Sequence, residues 1–77
     1  MKRGEVTTVE KLIPGDRFYK QKASDRKTYE LIGPESFGKF EVCLADKMVN
    51  GSPISKSRIE VVRGNTSAVF LRNVKDN

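Results

Sequence analysis

Histidine is missing from this 77-residue chain. Without an imidazole, a Ser-His-Asp or Cys-His catalytic site, a histidine-ligated zinc and a histidine pH switch are all excluded within it. Cysteine occurs once, as Cys43, which removes intramolecular disulfides and any CxxC metal knuckle. Small secreted domains ordinarily depend on several disulfides, so a reducing cytoplasm is the expected location. No apolar run approaches the roughly 18 residues of a membrane span. The basic start Met1-Lys2-Arg3 lacks the apolar stretch of a signal peptide behind it. The GxGxxG spacing does not occur, and no phosphate cradle, cofactor or metal is expected. The length leaves room for a single core, hence one domain over residues 1–77, with 1–4 and 73–77 expected to fray.

What remains is basic, polar and strand-like. Fifteen Lys and Arg against ten Asp and Glu give a formal charge of +5. No helical stripe persists beyond about one turn, whereas short alternating segments recur. Tyr29 and Leu31 alternate with Glu30; Phe40, Val42 and Leu44 alternate with Lys39, Glu41 and Cys43. The Gly33–Gly38 stretch between them holds Gly and Pro, so a hairpin is expected. Pro14-Gly15 suits the centre of a type II turn and ends any helical turn over Val9–Leu12, which Thr7-x-x-Glu10 would cap. Polar Gln21–Lys27 reads as an exposed hairpin tip, and Asn50-Gly51 as a tight two-residue hairpin turn. Pro53 keeps its neighbourhood out of a central strand. Arg58–Val62 and Ser67–Arg72 supply two more strands. The expected core is Val6, Val9, Leu12, Phe18, Tyr29, Leu31, Phe40, Val42, Leu44, Ile59, Val61, Val69 and Leu71.

Candidate reactive groups have plain structural readings. Ser24-x-x-Lys27 matches the spacing at which a lysine activates a serine, but lies in the most charged loop, where no dry cleft lowers a lysine pKa. Asp16 after Pro14-Gly15 is placed to fix the turn. Glu30 and Glu41 read as outward charges on adjacent strands, and Cys43 as a small buried or half-buried side chain. Asn65-Thr66-Ser67 has the glycosylation spacing but reads as part of a turn. The chain is therefore read as non-enzymatic.

Charge distribution carries the functional expectation. Residues 1–28 hold eight basic and four acidic side chains, 29–57 three and four, and 58–77 four and two. If the terminal thirds meet, Arg17, Lys20, Lys22, Arg26 and Lys27 join Arg58, Arg63 and Arg72 in one basic surface, with Tyr19 as its outward aromatic. Cations on phosphates and an aromatic under a base are how small barrels hold single-stranded nucleic acid. The expected role is a binding module for DNA, RNA or a nucleic-acid-handling complex. The alternative is a protein-interaction module, such as a phage-type inhibitor or adaptor, docking through an exposed sheet edge or a patch around Phe37 and Phe70.

The run from Val9 through Leu12, Gly15-Asp16 and Phe18, followed by Tyr29 and Leu31, resembles the opening of small SH3-like β-barrels. In these a V-x-x-L-x-x-G-D-x-F segment leads into a Y-x-V/L strand. The resemblance covers about the first 32 residues. It implies a fold and a bacteriophage or mobile-element setting, and transfers no binding residues. The fold expected is mainly β, a five- or six-stranded SH3-like or OB-like barrel or half-barrel with at most one short helical turn.

Overall fold

The computed structural model describes residues 1–76. It is mainly β, with only single turns of 3-10 helix, at Val9–Lys11, Ala45–Lys47 and Lys56–Arg58. The strands are β1 (Val6–Thr8), β2 (Asp16–Lys20), β3 (Tyr29–Pro34), β4 (Lys39–Leu44), β5 (Met48–Val49), β6 (Ser52–Pro53), β7 (Glu60–Arg63) and β8 (Ser67–Asn73). Six of them form one antiparallel sheet in the order β1-β8-β2-β3-β4-β7, while β5 and β6 form a separate hairpin. Among the described residues no helix is long and apolar enough to cross a membrane.

The connection between β7 and β8 dictates the shape of the sheet. These strands stand four places apart in the order, so in a flat sheet they would be about 19 Å apart at roughly 4.8 Å per strand. The four Cα steps from Arg63 to Ser67 span at most about 14 Å even when extended. The link is in fact a tight turn, with Thr66 N donating to Arg63 O at 3.0 Å. The sheet must therefore curl until its edges approach each other. Glu10 N, just beyond β1, donates to Gly64 O at 2.9 Å, just beyond β7. No ladder joins β1 to β7 among the described residues, so the edges meet at one end without closing.

Inside the curl, one row crosses four strands: Phe70 of β8 opposes Phe18 of β2, which opposes Tyr29 of β3, which opposes Leu44 of β4. The Phe18 and Tyr29 rings stack with centroids 5.9 Å apart. Val9, Leu12, Leu31, Val42, Val62 and Ala68 complete the cluster, and Phe40 and Leu44 pack against it while half-buried. Full burial of a side chain such as Phe18 or Leu31 contributes about 1.5–3 kcal/mol.

Several core expectations are corrected. Val6 is 54% and Val61 49% exposed, whereas Val62, Ala68 and Phe70 are buried. Val61-Val62 offers an apolar residue to either face, and pairing of Val62 with the inward Phe40 decides between them. In β8 a register shift against β2 separates the Arg17–Arg72 pair from the Phe18–Phe70 pair and turns Phe70 inward. Val69 is buried on the opposite face, opposite Tyr19. Ile59 and Leu71 are only half-buried.

The turns follow the sequence closely. Gly15 has φ +93°, and Asp16 N donates to Ile13 O at 3.0 Å, as a type II turn requires. Asn50 and Gly51 both have positive φ and join β5 to β6. The capping box does not form: the 3-10 turn begins one residue late, with Thr8 at the N-cap and no side-chain cap bond. Hydrogen bonds tie the C-terminal segment as far as Asp76, whose N donates to Asn73 O at 3.0 Å. Asn73 is buried at the end of β8, Val74 N donates to Gly15 O at 3.0 Å, and Lys75 N donates to Asn73 Oδ1 at 2.8 Å. At the other terminus, Gly4 N is tied to Phe70 O at 2.7 Å. The remaining tail residue, Asn77, lies outside the described residues.

Candidate nucleic-acid interface

The outer face of the sheet carries a second four-strand row: Arg72 of β8, Arg17 of β2, Glu30 of β3 and Cys43 of β4. Residues directly opposed in antiparallel strands project to the same side, so the two arginines are immediate neighbours there. Glu30, expected to point into solvent, is only 3% exposed and is paired with Arg17, Nε to Oε1, at 3.2 Å. The chain after β4 covers this part of the face. Met48, Asn50 and Gly51 border Glu30 and Arg17, and Cys43 Sγ lies 3.8 Å from Lys47 O. Arg17 thus offsets a buried carboxylate, while its side chain keeps 31% of its surface in solvent. Glu41 opposes Gly33, so the two glutamates are not cross-strand partners.

Tyr19 projects from the same outer face, on the opposite side of the strand from Phe18. The Arg26 guanidinium carbon lies 5.5 Å from its ring centroid, a cation over an aromatic face. Arg26 sits in the polar loop at φ +49°, and the neighbouring Lys27 lies 3.8 Å from Asp25. Lys27 and Arg17 border one open cavity of about 550 Å³, with Thr28, Leu44, Ala45 and Asp46 around it. Arg17, Tyr19, Arg26, Lys27 and Arg72 accordingly gather around β2 and its neighbours, as pairing of the first and last long strands requires.

The other four expected contacts go elsewhere. Lys20 opposes the inward Ala68 and holds its Nζ 4.8 Å from the Tyr29 ring centroid, on the inner side of the curl. Lys22 lies with Lys20 beside Ala23 and residues 65–67. Arg58 belongs to the 3-10 turn ahead of β7, and Arg63 ends β7 at the far edge, opposite Lys39. A single nine-residue basic surface does not form. The Phe37–Phe70 patch also fails, because Phe70 is 7% exposed within the core while Phe37 is 99% exposed at a hairpin tip. Lys39 is the cation missed by sequence reasoning; only the β4–β7 register reveals its pairing with Arg63.

Two groups among the described residues have raised pKa values. Burial pushes the Cys43 thiol above its ordinary 9.0, with Glu60, Glu30 and Asp46 adding to the effect and Arg58 opposing it. Burial likewise raises the Tyr29 phenol above 10.0, reinforced by the charges of Glu60 and Asp25 and by a hydrogen bond to Glu60. A thiol held protonated in this way is a poor nucleophile. Ser24 is exposed, and its spacing partner Lys27 lies beside Asp25. No family of known proteins, curated sequence or solved structure matches this chain.

Proposed function

We propose that this chain is a non-enzymatic module that binds single-stranded nucleic acid, DNA or RNA, through the outer face of β2 and β8. The observation that carries this reading is the arrangement of Arg72 beside Arg17, with Tyr19 and its overlying Arg26 on the same face. Like charges directly opposed on a sheet repel. Of these three arginines, Arg17 alone has a carboxylate within ion-pairing distance among the described residues, which leaves Arg72 and Arg26 to meet an anion. Tyr19 supplies a flat surface for a base once Arg26 moves to a phosphate. The curled antiparallel sheet supports an SH3-like or OB-like half-barrel, a scaffold suited to such a face in a reducing cytoplasm.

Titration of a fluorescein-labelled oligothymidylate at several salt concentrations tests the reading. Affinity should fall with salt, with a log–log slope of about −0.7 for each phosphate neutralised on a single strand. Arg26→Gln and Arg72→Gln should each weaken binding and flatten that slope; Arg17 is left intact because its loss would strand Glu30. Absence of binding at low salt, or binding indifferent to salt, overturns the proposal.

A further inference from the structure

The two type I′-like hairpin tips of this chain differ in one residue. Asn50 and Gly51 adopt φ values of +51° and +83°; Phe37 and Gly38 adopt +50° and +74°. Lys39 N donates to Ser36 O at 2.9 Å, closing the second turn across its two central residues. Asn is well suited to the first central position, whereas a bulky side chain there crowds the backbone. Phe37 gains no burial in exchange, since it is 99% exposed.

Beside it stands a second local conflict. Lys39 and Arg63 face each other directly across β4 and β7. Neither has a carboxylate within 4.0 Å among the described residues, although Glu10 borders the same shallow depression. Left-handed strain, a fully exposed ring and an uncompensated like-charge pair therefore meet at one corner. Such clusters of broken local rules are where binding sites are found.

We infer that this corner is a nucleotide subsite, in which the Phe37 ring stacks on an unpaired base and Lys39 with Arg63 holds an adjacent phosphate. The inference rests on the nucleic-acid reading above and extends it to the far edge of the sheet. Charge complementarity favours a nucleic acid over a protein partner. The surroundings of Phe37 are Gly38, Gly64, Asn65 and charged side chains rather than the apolar rim that a protein hot spot employs.

The test pairs a stability measurement with oligothymidylate binding. Phe37→Asn should raise the thermal midpoint, because Asn suits the turn, while weakening binding about tenfold through loss of one stacked base. Phe37→Tyr should keep the parent's affinity, and Lys39→Gln with Arg63→Gln should flatten the salt dependence. Unchanged affinity in Phe37→Asn, with Arg26→Gln and Arg72→Gln still impaired, overturns this subsite alone. A lowered midpoint in Phe37→Asn overturns the claim that Phe37 is held against its turn. Failure of the parent chain to bind overturns both readings. Capture of one stoichiometric protein from nuclease-treated lysate, lost in Phe37→Asn while oligothymidylate affinity stays intact, replaces the subsite with a protein-docking tip.

Discussion

Asn73 Nδ2 donates to Asp16 Oδ1 at 2.9 Å in a buried contact spanning 57 positions of sequence. The same amide donates to Pro14 O at 3.2 Å, and the other Asp16 oxygen accepts from Ile13 N at 2.9 Å. The turn that Pro14-Gly15-Asp16 encodes locally is thereby locked by the end of β8. Its Gly15 also sits tightly, at φ +93°, since an added β-carbon would lie 3.2 Å from Asn73 and Val74 atoms.

Asn73→Ala should cost about 1–3 kcal/mol, the usual penalty for leaving buried polar groups unpaired. Asn73→Asp should cost more at neutral pH, where two carboxylates would face each other. Urea denaturation at about pH 7 measures both. An alanine variant as stable as the parent would show that the clasp does not hold the turn.

Gly64 marks the place where the sheet edges meet. A β-carbon there would lie 2.8 Å from Phe40 Cε1, 3.0 Å from Gly38 O and 3.1 Å from Glu10 Cβ. Gly64→Ala should destabilise by about 1–3 kcal/mol through overpacking. Gly33, with nothing within 4 Å of an added β-carbon and no positive φ, is the control. Gly33→Ala should be neutral or stabilising by up to about 1 kcal/mol. Equal losses at the two glycines would argue against a tight edge junction.

Stability should also fall in alkali. Cys43 and Tyr29 hold their protons above 9.0 and 10.0 in the folded chain, while the unfolded chain releases them near those values. Their contribution is therefore complete below about pH 8 and is lost as pH rises through the folded values. Thermal midpoints followed from pH 7 to about 11 should decline above roughly pH 9. Cys43→Ala and Tyr29→Phe should each make the decline shallower; a parental profile in both would assign it to other groups.

The turns were legible because they depend on neighbouring residues. Pro14-Gly15 and Asn50-Gly51 appear where their residues indicate, and so does the β3–β4 hairpin, although Gly33 and Pro34 belong to β3 and the turn itself is the shorter Phe37-Gly38. Pro34 ends β3 beyond its pairing with β2, so its missing N–H disrupts no ladder on that side. What depends on distant pairing was not legible. Burial of Phe70 follows from a register shift against β2, and burial of Glu30 from pairing with Arg17 and the covering hairpin.

The candidate site divides in the same way. A basic cluster including Arg17 and Arg72 was readable from charge placement once the terminal strands were expected to meet. Its separation from Arg58 and Arg63 was not, because nothing local indicates that β7 occupies the far edge. Phe37 was visible as a loop aromatic, but its left-handed backbone and the Lys39–Arg63 pairing belong to the folded hairpin and sheet.

β8 lies between β1 and β2, and the first two strands share no ladder. Each must remain unpaired on that side until a segment roughly fifty residues later arrives, so the order of assembly cannot follow the order of synthesis. Loop closure across that distance must precede the contacts that stabilise it. Folding should consequently be slow for so short a chain, and β1 and β2 are the strands most open to mispairing while they wait.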